Sequence, residues 1–349
     1  MNHIETIEIK NFKSIKHADI KDCRRVNVFI GYPNVGKSNI LEAIGLLTFI
    51  RKKRFLILED LVRFERYTQI FNYLKIDEPA FINFNNKYSF EINYADEEEL
   101  FLRLYETEKV YESSLIGLHV GKEFMNSPSF DGVDEFSGHF DELKDFQVKP
   151  YKFSDGKNFK AKYSAKELKV PCGDNLFEVI SNNKTFIEEF SDLLKPFNTP
   201  LVINKANNEI QINLKSEGVN IFTLPISMIA ETLQRLIFHK IAISSNKNSV
   251  LLFEEPEAHM FPPYIKKFTT DVIFDKTNQF FIATHSPYVL NEFIEEIADE
   301  LAVYVVDYDK GETIIKRLTD KEVSEVAQYG VDLFFNLETY LDKNVQHSA

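Results

Sequence analysis

Gly31-Tyr32-Pro33-Asn34-Val35-Gly36-Lys37-Ser38 decides how the rest of the chain is read. It fits G-x-x-x-x-G-K-S at every position. The apolar strand Val26–Ile30 precedes it, and in the helix that follows Ile40, Leu41, Ile44 and Leu47 recur at near-helical spacing. Gly31 and Gly36 let the backbone turn so that its N–H groups face a phosphate, with Asn34 and Val35 in the loop and Asn39 in the first helical turn. The helix N-terminus adds positive potential. Lys37 is expected to reach β- and γ-phosphates and Ser38 to ligate Mg²⁺. A chance glycine turn capped by Ser38 is the structural alternative, and the strand–loop–helix setting argues against it.

Two distant stretches supply further chemistry. Val250-Leu251-Leu252-Phe253 is the continuous apolar run of a strand buried on both faces, and it ends in Glu254-Glu255-Pro256. Acids at that end lie where α/β sheets place ligands. Neighbouring residues on a strand point opposite ways, so the two differ in task. Glu254 is expected in the Mg²⁺ shell, and Glu255 as the base that orients and deprotonates water. A solvated acidic turn is the alternative. His285 closes another apolar strand, Phe280–Thr284, before Ser286-Pro287 opens a helix with Ser as N-cap. A lone histidine there is more often structural; beside this site it is expected to contact a γ-phosphate, joining Lys37 and Glu255 as catalytic residues.

The remaining pattern is α/β at both ends. Strands are expected at Ile4–Lys10, Ala80–Tyr94, Leu100–Tyr105 and Val303–Val306, the last pairing with Thr313–Lys316. Helices are expected at Leu176–Ile180, Lys184–Leu194, Met228–Ile243, Tyr264–Ile273 and Tyr288–Ile297, and a hairpin around Asn207-Asn208. Residues 110–162 mix Phe, Ser, Gly, Asp and Lys without a period and read as loops. The domain reading is therefore 1–109 and 220–349 building one sheet, with an inserted α+β lobe at 110–219.

The 349 residues carry a formal net charge of -13, so nucleic-acid binding, left possible, would need a local basic patch. Arg51-Lys52-Lys53-Arg54 is the candidate, though cations after a helix also complement its dipole. No apolar run approaches the roughly 18 residues of a membrane span, and Glu42 interrupts the most apolar helix. The opening residues lack a secretory layout, and a cytosolic protein without membrane contact is expected. Cys23 and Cys172 read as unpaired thiols.

Taken together, the motifs resemble the ABC-type ATPases of the SMC, RecF and OLD group. Ile4–Ser14 resembles that group's first strand and turn, Gly31–Ile44 its Walker A helix, Glu254-Glu255-Pro256-Glu257-Ala258-His259 its Walker B and D-loop, and Thr284-His285-Ser286-Pro287 its switch histidine. The resemblance covers roughly residues 1–75 and 220–340. It implies an α/β ABC-type ATPase head with a mixed sheet, ATP and Mg²⁺ as ligands, and two subunits sandwiching nucleotide. It also implies a separate effector protein, as in compact prokaryotic anti-phage or toxin-like modules without coiled-coil arms. Repair-type DNA binding and a slow, nucleotide-gated scaffold are the alternatives.

Two positions depart from the group. Glu254 stands where the group usually has Asp, and the signature motif survives only as Ser227-Met228-Ile229-Ala230-Glu231-Thr232-Leu233-Gln234-Arg235, without glycines. In the group that serine faces the γ-phosphate of the opposite subunit; N-capping its own helix is the alternative for Ser227. Gln69 is the candidate Q-loop residue. Asp307-Tyr308-Asp309 could suggest a metal-dependent nuclease, but Asp309-Lys310-Gly311 has the composition of a tight turn, and only about forty residues follow it, fewer than an independent domain needs.

Overall fold

The computed structural model describes residues 3–50, 58–96, 99–106, 116–121, 146–154, 166–217 and 220–341. The basic run at 51–54 and most of 110–162 lie outside them. The chain divides into two compact units. One comprises Met1–Pro150, Asn248–Glu255 and Thr277–Ala349; the other comprises Tyr151–Lys247 and Pro256–Lys276. The boundaries drawn from sequence at 109/110 and 219/220 fall inside these units. The chain passes from one unit to the other at 150/151, 247/248, 255/256 and 276/277, next to the ends or the starts of strands, and nothing in the local pattern marks these points.

In the first unit, β1 (Ile7–Phe12), β2 (Ile15–Ile20), β4 (Ala80–Phe84), β5 (Tyr88–Asp96), β6 (Glu99–Glu106) and β7 (Ile116–Gly121) form an antiparallel sheet in the order β2-β1-β4-β5-β6-β7. The single strand expected over 80–94 is broken at Asn85 and Asn86, whose φ values of 55° and 53° fold it into a hairpin. β7 and β8 (Val148–Tyr151) are strands inside the stretch read as loops.

The second sheet of this unit positions the chemistry. It contains β3 (Val26–Ile30), β12 (Val250–Glu254), β13 (Gln279–Ala283), β14 (Leu301–Asp309) and β15 (Glu312–Arg317), in the order β15-β14-β3-β13-β12-β8. β14, β3, β13 and β12 run parallel, and every residue of β3 and β13 is buried, which is why these strands read as unbroken apolar runs. Glu254, Ala283, Phe29 and Tyr304 stand in one register row, so the strands reach their C-terminal edge together. Helix α1 (Lys37–Gly45) follows β3 directly and continues as a 3₁₀ turn to Ile50.

The second unit holds an antiparallel sheet of β9 (Leu201–Asn204), β10 (Glu209–Glu217) and β11 (Asn220–Pro225), in the order β11-β10-β9. With it come helices at Leu176–Ser181, Lys184–Leu194, Glu231–Ser244 and Pro262–Phe274. Leu194, Ile212 and Leu233 centre its apolar core. The strand Asn220–Pro225 went unread because its exposed Ile221 and Phe222 break any in–out alternation.

Candidate functional site

The loop after β3 is shaped by its glycines. A Cβ on Gly31 would lie 2.1 Å from the carbonyl oxygen of Val306, and one on Gly36 2.2 Å from Thr313 Oγ1. Gly36 and Asn34 hold φ values of 102° and 64°, in the left-handed region. Gly36 ends the loop as the residue before α1, so the first helical N–H groups face the cleft. Lys37 is buried and donates to the carbonyls of Gly31, 3.0 Å, and Tyr32, 2.7 Å, folding its ammonium over the loop.

A directed chain of hydroxyls supports the loop. Thr313 Oγ1 donates to the Val35 carbonyl at 2.9 Å. Its one proton being used, it accepts from Ser14 Oγ at 2.7 Å, and Ser14 in turn accepts from Asn39 Nδ2 at 2.6 Å. Residues from both ends of the chain thus brace the loop.

The cleft in front has a volume of about 490 Å³ and is lined by Pro33, Asn34, Gly36, Lys37, Ser38, Asn39, Glu254, Glu255 and His285 among others. Ser38 Oγ donates to Glu254 Oε1. Glu255, past the end of β12, takes a φ of 44°, held by its N–H bond to the Ala283 carbonyl at 2.8 Å. Its Oε1 lies 3.4 Å from His285 Nε2. Burial, and then the charge of Lys37, lower the pKa of His285 against the pull of Glu255, which favours the neutral ring at pH 7.

Sequence reading missed several residues here. Arg63 lines the cleft and reaches Glu254 Oε1 at 3.3 Å and Glu42 Oε1 at 2.7 Å. Glu42, read as an interruption of an apolar helix, is buried and also pairs with Lys13. Ser14 sits in the turn after the first strand; Arg63 and Thr313 belong to no motif that local sequence could reveal, and Tyr308 stands between Asp307 and Asp309 with no local sign of a place in the cleft.

Gln69, Ser227 and Ser286 stand in the following settings. Gln69 does not line the cleft; its Oε1 accepts from the N–H groups of Glu65 and Arg66. Ser227 lies in the second unit and does not cap its helix, which starts at Glu231 with Ala230 at the cap. Its carbonyl accepts from Gln234 Nε2 at 3.3 Å. Ser286 occupies the cap position before Pro287–Ile297 but makes no capping bond. Lys310 and Gly311, with φ values of 49° and 89°, form the two-residue turn between β14 and β15, as their composition indicated.

The donors fit a Mg²⁺–nucleotide pair. A hydroxyl and a carboxylate oxygen already meet at Ser38 and Glu254, the hard oxygen donors Mg²⁺ takes. The loop leaves no room for side chains at Gly31 and Gly36.

A family model described as AAA domain, putative AbiEii toxin, Type IV TA system matches residues 26–291, more than half of the chain. The DNA replication and repair protein RecF of Lactobacillus acidophilus is 35% identical over 69 residues, 20% of this chain and 18% of that protein. RecF of Streptococcus thermophilus is 30% identical over 107 residues, 28% of each. The matches span less than a third of these relatives. Among solved structures, an SMC head bound to the C-winged helix domain of ScpA aligns over 91% of this chain and 98% of its own, at 14% identity and a TM-score of 0.51. A second SMC head, bound to the C-terminal domain of ScpA derived from Pyrococcus furiosus, aligns over 94% and 99%, at 14% identity and a TM-score of 0.50. These two share its fold. No helix among the described residues is long and apolar enough to cross a membrane.

Proposed function

The chain belongs to that AAA-domain family and to the ABC-type P-loop ATPases of the SMC and RecF group, and on this premise we propose that it is an ATP-hydrolysing switch. The observation that carries the proposal is the meeting of the glycine loop, Ser38–Glu254 and Glu255–His285 at one sheet edge. Lys37 and the loop N–H groups hold the β- and γ-phosphates. Glu255 takes a proton from the attacking water as its oxygen bonds the γ-phosphorus and the ADP oxygen leaves. Neutral His285 offers a ring N–H to the γ-phosphate. Ser38 and Glu254 would hold Mg²⁺, which would supply positive charge to offset that of the phosphates.

A second subunit completes the site in this reading, through Ser227 and the helix behind it. That segment and the turn after Glu255 are joined within the second unit, Thr232 Oγ1 donating to the His259 carbonyl at 2.6 Å. Met228 and Phe261 leave apolar surface exposed beside them. The family's description as a toxin of a toxin–antitoxin system supports a defence-type module in which a separate protein delivers the effect. The relatives' name as DNA repair proteins supports the second reading, in which DNA is the partner.

Phosphate release with Mg²⁺, with and without DNA, tests both. Lys37→Ala is expected to lower ATP affinity at least tenfold, because it removes the ammonium that crosses the loop. Unchanged affinity by calorimetry would reject the phosphate cradle. Turnover raised severalfold by DNA would favour the DNA partner.

A further inference from the structure

Tyr308 leaves 46% of its surface in solvent on the wall of the cleft. Among the described lining residues it is the one phenol ring, the others being polar, small or charged apart from Pro33 and the imidazole of His285. Its position follows from the sheet. β12 and β13, with Glu254, Glu255 and His285 at their ends, lie on one side of β3; β14 lies on the other. Tyr304 shares the register row of Glu254, Ala283 and Phe29, so Tyr308, four residues on, rises past the cleft edge.

The ring leaves the hairpin on the loop's side. Tyr308 and Thr313 are direct partners across β14 and β15, and directly opposed residues present side chains on one face. Thr313 is the residue whose hydroxyl holds the Val35 carbonyl. The hairpin carrying both is pinned. Tyr73 Oη donates to the Gly311 carbonyl at 2.6 Å, and Lys16 pairs with Glu312 at 2.9 Å. Tyr73 does so from a left-handed backbone, φ 50°, with 60% of its own surface exposed.

On the proposed reading, a triphosphate with its γ end at Glu255 and His285 would run across the loop away from β12 and β13, and the part beyond its α-phosphate would reach the end of β14. We propose that Tyr308 is the platform on which the nucleobase stacks, with Tyr73 the positioning residue that holds the hairpin carrying it. This rests on the nucleotide reading of the cleft and adds to it how the organic half of the ligand is held. A bare ring face recognises any base, so the affinity it supplies depends on the presence of a base and little on its identity.

The test compares ATP with inorganic tripolyphosphate, which has the charges and no base, by calorimetry on the full chain with Mg²⁺. Tyr308→Ala is expected to weaken ATP binding about five- to a hundredfold and to leave tripolyphosphate within twofold of wild type. Tyr308→Phe keeps the ring and is expected to bind ATP within twofold of wild type. The proposal is overturned if Tyr308→Ala binds ATP normally, if it loses tripolyphosphate by the same factor as ATP, or if Tyr308→Phe falls as far as the alanine variant. Wild-type protein that binds neither probe would overturn the nucleotide reading itself, a result distinct from all three.

Discussion

Ser38 and Glu254, 216 residues apart, meet through a hydrogen bond from the serine hydroxyl to the carboxylate, tying the first turn of α1 to the end of β12. Both groups are oxygen donors aimed at one point, and Arg63 reaches the same carboxylate oxygen at 3.3 Å. Ser38 and Glu254 would hold a divalent ion there, and the ion would supply positive charge beside the bound phosphates.

Glu254→Gln is therefore expected to weaken the Mg²⁺-dependent part of ATP affinity by about ten- to a hundredfold. Affinity measured in EDTA should stay unchanged. An equal loss in both conditions would show that Glu254 serves the fold and not the metal.

Glu255→Gln should keep ATP affinity and lose turnover by roughly two to four orders of magnitude, because the amide cannot take the water's proton. Trapped ATP should then raise the sedimenting mass of this variant, through a γ-phosphate shared between one subunit's loop and the other's Ser227 helix. Normal hydrolysis would move the base to Glu254. A mass independent of ATP would count against a newly formed sandwich.

His239 offers a pH test of the second unit. It is fully enclosed beside Phe238 and Phe268, and burial, then the charge of Arg235, lower its pKa from 6.5 to about 3. The unfolded chain therefore binds its proton more readily than the folded one. Stability from this residue is complete above about pH 6.5 and declines as pH falls toward 3. Between pH 7 and 5 the decline is about 2 kcal/mol. Denaturant titrations of wild type and His239→Leu should differ in pH slope by that amount, and parallel slopes would refute it.

The chain is expected to show no nuclease activity of its own. Asp307 is buried on β14 opposite Ile314, and Asp309 precedes a two-residue hairpin turn, so the acid pair follows the pleat of a strand. Cutting of DNA with Mg²⁺ or Mn²⁺ that disappears in Asp307→Ala would overturn this.

What was legible in the sequence was what short range encodes. β3 and its glycine loop, the acids after β12 and the histidine after β13 could all be read because each motif sits at the end of a buried parallel strand, whose apolar run is unmistakable. Asn85-Asn86 carried a turn signal that the apolar residues around it obscured. Arg63, Thr313 and Tyr308 gain their meaning only from partners brought by the sheet, and β8 joins β12 from a stretch without periodicity. Glu42 gave no local sign of its partners either, being paired with Lys13 upstream and Arg63 downstream.

The bracing of the loop by Thr313 has a consequence for biosynthesis. Val35 leaves the ribosome 278 residues before the hydroxyl that holds its carbonyl. At about 5–20 residues per second, the loop waits on the order of tens of seconds for its support. Prematurely ended chains would carry the glycine motif with no rigid cradle around it. On the proposed reading, competence to capture nucleotide would then be reserved for chains whose translation has run past the hairpin that carries Thr313.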